Sequence, residues 1–503
     1  MVGAAEPRRL GAWLLANLPA GVRGPQYDID RLQTGILHLG AGAFHRAHQA
    51  VYTEAAIEAS GGDWGILAVS LRRPDTPRLL QAQQGLYTVE TLHGGETLHG
   101  GETLHGGETL RGGEALHGGD PTDSAFRVIG CVRGAVTAPL DPTVVLRALA
   151  APATQIVTLT VTEKGYTLRP DGALDFDHPD VAHDAHGAAV PKSTIGWLTA
   201  GLAARRRSDA PGVTVLSCDN LATNGAKLRA AVLAFATATD PPLARWIDAE
   251  VRFPNTMVDC IVPATDDATR GRVRSALGCF DAACVQREPF AQWVIEDDFA
   301  GERPAWSAVG VEFVRDVAAH QQLKLHVLNL PHSLLAYFGL LRGFDFCREA
   351  MADPGVAAFA DALIEEEVAP ALPHLPVHAY WRTTRTRLCN PRIDHALRQI
   401  GEDGSVKLAQ RALPLLIANV HAQRPTGRLA ALIQAWLACC GRGITKDPQA
   451  AQVIQWTTAG GSLDALLDAP GIFPAEVRTD PAVRLALHQP HALPGEILGR
   501  FPP

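Results

Sequence analysis

Between Thr34 and Pro263 the chain alternates short apolar or β-branched runs with helical stretches. The segments "GILHLGAG", "WGILAVSL", "QIVTLTVTEKGY" and "GVTVLSCDN" are near-continuous in apolar residues, the pattern of strands buried on both faces. Such alternation predicts an α/β domain, a parallel sheet covered by helices. After about Val314 the strand signals fade. Long amphipathic runs replace them, among them "SLLAYFGLLRGFDFCREAM", "GVAAFADALIEEEVAPAL" and "RLAALIQAWLACCGRG". The expected organisation is an α/β domain over 1–314 and a mostly α-helical domain over 315–503.

A length of 503 residues agrees with two domains, each able to bury its own core. Lys and Arg total 45 against 53 Asp and Glu, a formal charge of -8, and no run of like charge stands out. Nucleic acid and anionic membrane surfaces are therefore not expected as partners. The nine cysteines are scattered and form no C-x-x-C pair, which predicts reduced thiols and no cysteine-based zinc site. No segment offers the roughly 18 uninterrupted apolar residues of a membrane span. The expectation is a cytoplasmic protein, monomeric or a small homo-oligomer.

From Glu90 the hexapeptide "ETLHGG" recurs and drifts to "ETLRGG" and "EALHGG" before Asp120. Paired glycines every six residues carry too little apolar surface to offset the entropy of ordering them. Lying between the strand-like "GLYTVE" and "FRVIGCV", the repeat (90–120) reads as a lengthened hairpin tip, dispensable for chemistry. Its histidines His93, His99, His105 and His117 offer metal binding as the alternative.

The first strand runs into "LGAGAFHRAH", where Gly40 and Gly42 open a strand-to-helix turn. Glycines there let backbone approach a pyrophosphate, although His45 stands where a third glycine is usual. Asp75, just past the second strand, suits the hydroxyls of an adenosine ribose and would repel a 2′-phosphate, favouring NAD over NADP. Three further runs place polar residues beside a strand: Glu163 and Lys164, then Asp219, Asn220 and Asn224, then Asn255 and Asp259. In an open parallel sheet ligands bind beyond the strand ends. Asn and Asp also terminate strands and cap helices, so each position has a purely structural alternative.

In "LKLHVLNLPHS" polar residues interrupt an apolar run, among them Lys324, Asn329 and His332. On a regular helix Lys324 and His332 lie roughly 80° apart, with Asn329 about 60° further on. All three would border one cavity; the alternative is the polar edge of an amphipathic helix.

Taken together, "GAGAFHRAHQ", "LTVTEKGY", "SCDNLATNG", "FPNTMVDCIVPAT", "EPFAQWVIEDDF", "LKLHVLNLPHS" and "EDGSVK" resemble the polyol-specific long-chain dehydrogenases, the mannitol dehydrogenase family, in family order along nearly the whole chain. The resemblance implies a Rossmann-type first domain, a helical second domain and metal-independent hydride transfer. It implies catalytic roles for Lys324, Asn220, Asn329 and His332, and cofactor contacts from Gly40, Gly42, Phe44, Asp75 and Glu163. The substrate positions it implies are Lys164, Asp259, Gln399 and Lys407. Oxidising an alcohol needs a base for the hydroxyl proton, and a lysine whose charged form is disfavoured by burial can supply it. Asparagine amides aimed at the oxygen stabilise the alkoxide.

Within the family, "TEKGY" is more similar to the D-mannonate oxidoreductases, or fructuronate reductases, than to mannitol 2-dehydrogenases, which tend to read "TEGGY". Lys164 would then face the carboxylate of a sugar acid, and Gln399 stands where mannitol dehydrogenases place an arginine. The expected activity is NAD-dependent interconversion of D-mannonate and D-fructuronate. The alternatives are a mannitol 2-dehydrogenase or other polyol dehydrogenase, and a catalytically impaired NAD-binding sensor. Two departures favour the sensor: Pro331, which predicts a kink displacing His332, and Gln321, where many members carry a proton-relaying glutamate.

Overall fold

The structure is a computed structural model describing residues 8–93, 125–187, 189–469 and 471–491. Most of the hexapeptide repeat, and with it the expectation of a long hairpin tip, lies outside the described residues. The described chain divides into two compact units, one reaching Ala318 and the other beginning at Ala319.

The first unit is built on five parallel strands: β1 (Thr34–Leu39), β2 (Gly65–Ser70), β3 (Val132–Thr137), β4 (Ile156–Leu159) and β5 (Thr214–Ser217). Their order is β3-β2-β1-β4-β5, and every pairing is parallel. All residues of β4 and β5 are buried, because helices cover both faces. Side chains alternate between two cores, with Ile36, Ile66, Ala68 and Ile156 on one side and Leu37, Leu39, Val69 and Val157 on the other. Strand order reverses between β1 and β4, and the crevice beyond their C-terminal ends is where such sheets hold ligands.

Two readings of the strands need correction. "FRVIGCV" is not one strand: Phe126–Ile129 pairs antiparallel with Tyr87–Thr91, while β3 begins at Val132 in the parallel sheet. A buried carboxylate makes the transition, Glu54 accepting the Gly130 amide at 3.0 Å and the Cys131 amide at 2.7 Å. The second correction concerns Asp259. It ends Thr256–Asp259, which pairs antiparallel with Gln292–Glu296 in a separate three-stranded sheet, and its side chain is buried rather than lying beyond a parallel strand.

The second unit is helical; its described residues form no strand pairing beyond the single bridge of Phe346 with Ala396. Leu330–Leu341 is buried along almost its whole length and packs against Gly427–Gly441, two apolar helices forming the centre of a leucine-rich core. No helix among the described residues is long and apolar enough to cross a membrane.

Candidate active site

β1 delivers Gly40 to the end of the sheet with φ of +102°, and a Cβ there would lie 2.1 Å from the Thr160 carbonyl oxygen. Only glycine fits. Gly42 differs: it is exposed, and a Cβ would meet nothing nearer than 3.7 Å, so its bare backbone faces open space ahead of the helical turn Ala43–Ala47. That is the approach a pyrophosphate requires. Phe44, half-buried, stacks on His48 at 5.0 Å. His45 is fully buried at 3.4 Å from the His38 ring, with neither ring nitrogen hydrogen-bonded. His38 is tied to Thr158 at 2.7 Å, the Gly40 carbonyl at 2.9 Å and Thr160 at 3.0 Å, and burial pushes it down to about 3. Both imidazoles are thus neutral at neutral pH, a pair that no sequence motif announced. Asp75 is exposed at the first position of helix Asp75–Gln81.

The loops beyond β4 and β5 are fastened together by Asp219. Its carboxylate accepts the Thr162 amide at 2.8 Å, the Val161 amide at 3.2 Å and the Tyr166 hydroxyl at 2.8 Å. Thr162 has φ of +64°, sustained by the bond of its amide to Asp219, and Thr167 has +52°, both unusual for a β-branched residue. The short 3-10 turn between them presents Glu163 and Lys164 to solvent. Asn220 is exposed on the loop after β5. Asn224 is buried and structural: its amide group donates to the Ser217, Asp219 and Thr256 carbonyls, each at 3.2 Å, while its oxygen accepts the Thr256 amide at 2.9 Å. Asn255 is likewise structural, its amide held by Glu296 at 3.0 Å and its oxygen accepting the Ala226 amide at 3.0 Å.

In the helical unit the run from Ala318 to Leu341 is not one regular helix. An α-helical turn, Ala318–Leu323, passes into a π-helical turn, Lys324–Asn329, and then into the α-helix Leu330–Leu341. The widened turn replaces the regular angles expected from sequence, and such turns are frequent at functional sites. Pro331 produces no break. It follows directly on the widened turn, and Leu330 keeps helical angles of φ −65° and ψ −51°.

Lys324 is buried, 8% exposed; Asn329 and Gln321 are half-buried. Arg411 secures the turn by donating to the Asn329 carbonyl and to Ser333 Oγ, both at 3.0 Å, while His326 Nδ1 donates to the Arg411 carbonyl at 3.1 Å. His332 is buried, and its Nε2 has no hydrogen-bond partner. The Lys407 ammonium donates to the Ile400 carbonyl at 3.0 Å, and Gln399 is exposed on helix Leu397–Gly401. Among the described residues no group of three or more His, Cys, Asp and Glu side chains could hold a metal ion.

A parallel sheet in the order 3-2-1-4-5 with a glycine turn after its first strand defines the class: a dinucleotide-binding fold joined in one chain to a helical unit. The mannitol dehydrogenase Rossmann domain family matches residues 34–104 and 120–308, and the mannitol dehydrogenase C-terminal domain family matches residues 316–484. The chain belongs to the mannitol dehydrogenase family. It is 38% identical over 449 residues to the D-mannonate oxidoreductase of Escherichia coli (strain K12), covering 87% of this chain and 86% of that protein. It is 36% identical over 425 residues to a mannitol 2-dehydrogenase of Cereibacter sphaeroides, covering 83% of each. Among solved structures, a ternary complex of Pseudomonas fluorescens mannitol 2-dehydrogenase with NAD and D-mannitol superposes with a TM-score of 0.81 at 34% identity, covering 95% of each chain.

Proposed function

We propose that the chain is an NAD-dependent oxidoreductase acting on a CH–OH group, and that its reaction interconverts D-mannonate and D-fructuronate. The observation that carries the chemistry is the buried Lys324 on a widened helical turn, in one helical run with Asn329 and with the open ring nitrogen of His332. The glycine turn suits the cofactor, since the exposed backbone at Gly42 leaves room for a pyrophosphate. Gly40, Gly42 and Phe44 would hold NAD, with Asp75 toward the ribose and Glu163 at the neighbouring loop. When bound, NAD supplies the acceptor for the hydride.

Lys324 takes the hydroxyl proton as the C–H hydrogen leaves with its electron pair, and returns it in the reverse direction. The Asn329 amide donates to the oxygen as it gains charge, and a donor of this kind typically contributes about 2.7 to 4 kcal/mol; the family resemblance assigns the same role to Asn220. His332 holds a substrate hydroxyl. Lys164, exposed at the loop tip, is the cation assigned to the carboxylate, and Lys407, Asp259 and Gln399 are assigned to the rest of the substrate.

The acid-sugar assignment is supported by the lysine in "TEKGY" and by the similarity to a D-mannonate oxidoreductase. A second reading, mannitol 2-dehydrogenase, is supported by the similarity to mannitol 2-dehydrogenases in sequence and in structure. Following NADH absorbance with D-fructuronate, D-tagaturonate and D-fructose decides between them. Fastest turnover on D-fructuronate is expected; fastest turnover on D-fructose replaces the first reading with the second. No turnover on any of them favours the sensor.

A further inference from the structure

His332 does not stand alone. The His395 ring lies against it edge-to-face, centroids 5.1 Å apart and planes at 72°, and its Nδ1 is buried without a hydrogen-bond partner. Two neighbouring imidazoles thus each keep an open nitrogen. His395 is rigidly placed, because its carbonyl accepts the Cys347 amide at 3.0 Å and the next residue, Ala396, bridges to Phe346. Buried polar atoms without partners are rare in folded proteins, and two carried by rings in contact point to a ligand that completes them.

The chemistry of that ligand follows from the protonation of the pair. Burial is the main cause that holds His332 well below the ordinary range, reinforced by His395, Arg411 and Arg387; the hydrogen bond to the Leu328 carbonyl acts in the opposite direction. His395 is pushed down to about 4 by burial and then by Lys407. Near neutral pH both rings are uncharged, each with one N–H and one acceptor nitrogen. In His332 the N–H belongs to the nitrogen facing the Leu328 carbonyl, so the open Nε2 is an acceptor. A carboxylate has no proton to give it. A hydroxyl does, and its lone pairs can receive an N–H from His395.

We propose that His395 is a substrate-binding residue which, paired with His332, grips one hydroxyl of the polyhydroxy substrate between their open ring nitrogens. This rests on the reading of the helical unit as the substrate-handling part of a dehydrogenase. It adds a consequence that the reading lacks: the pair recognises a feature common to sugar acids and polyols, and the carboxylate must be recognised elsewhere.

The test is the binding of D-mannonate and of D-mannitol to the NADH-loaded protein, a pairing that cannot turn over, measured by titration calorimetry. His395→Phe keeps an aromatic edge against His332 and removes both nitrogens. It should weaken both ligands by a similar factor, roughly 2- to 12-fold for one neutral hydrogen bond, with NADH affinity unchanged. His395→Gln restores a donor and an acceptor and should recover part of the loss. Parent-like affinity for both ligands in His395→Phe overturns the proposal, as does a failure of His395→Gln to recover anything, which would mark His395 as packing alone. If the parent binds D-mannitol and not D-mannonate, the sugar-acid reading fails while a loss of D-mannitol affinity in His395→Phe still supports the pair. If the parent binds neither, both fail together.

Discussion

Beyond β4 and β5, buried side chains use their hydrogen-bonding capacity on the backbone. Asp219 accepts two amides and a phenol, and Asn224 bonds five backbone groups across three segments. On and beside the wide turn of the helical unit, His332 and His395 keep nitrogens open. Burial alone does not separate these regions, since polar groups in both are largely out of water. What separates them is whether the hydrogen bonds are closed within the protein. Closed groups hold a loop in a strained shape, as at Thr162, and expose a neighbour such as Lys164. Open ones have no partner within the protein, and at His332 and His395 we assign them to the substrate. The glycine turn belongs with the second kind, for His45 is buried with both ring nitrogens open.

The largest effect expected from this contrast is at the wide turn. Lys324→Ala should lower turnover by roughly 10²- to 10⁴-fold, while NADH affinity, followed by fluorescence, stays within about two-fold of the parent. A variant that keeps more than about a tenth of the turnover would remove Lys324 from the chemistry. At the loop after β4 the expected effect is smaller and depends on substrate. A charge-assisted hydrogen bond typically contributes about 1.5 to 3 kcal/mol, so Lys164→Gly should lower kcat/KM on D-fructuronate by roughly 10- to 150-fold. D-fructose has no carboxylate to lose and should change far less. Equal losses on both would make Lys164 a support of the loop and reopen the choice between acid and polyol.

These two residues were singled out because the sequence carries them in motifs. β1, β2, β4 and β5 were legible for a plainer reason: strands buried on both faces are apolar almost throughout. β3 was not, since Arg133 and Gly134 interrupt it and its burial is mixed. The antiparallel pairing that buries Asp259 was missed because strands of three to five residues carry too little alternation to reveal their partners. Pro331 was misjudged because the effect of a proline depends on its place in the helix, and a widened turn ending one residue earlier has no sequence signature. His395 could not be found from sequence at all; only the fold lays it against His332. For Asp219 the motif "SCDN" indicated a polar strand end and nothing of the loop it holds.

The smallest predicted effect tests that closed side of the contrast through Asp219. Burial is the main cause that lifts its carboxyl to about 6; Tyr166 and the Val161 and Thr162 amides pull it down, and Glu163 adds to the rise. In the unfolded chain an aspartate titrates near 3.9. Between about pH 4 and pH 6 the native state therefore holds a proton that the unfolded state has lost. Stability from this group is fully present below about pH 4 and is lost as pH rises through about 6. Two units correspond to about 3 kcal/mol in all, of which about 1 kcal/mol falls between pH 5 and pH 7. Asparagine has no proton to lose. The stability difference between parent and Asp219→Asn, from urea unfolding at the two pH values, should therefore favour the parent more at pH 5 than at pH 7 by about that amount. A difference that is flat, or that grows toward pH 7, would mean that the two loops are not held by a carboxyl buried at the expense of its charge, and the distinction between closed and open polar groups would lose its clearest example.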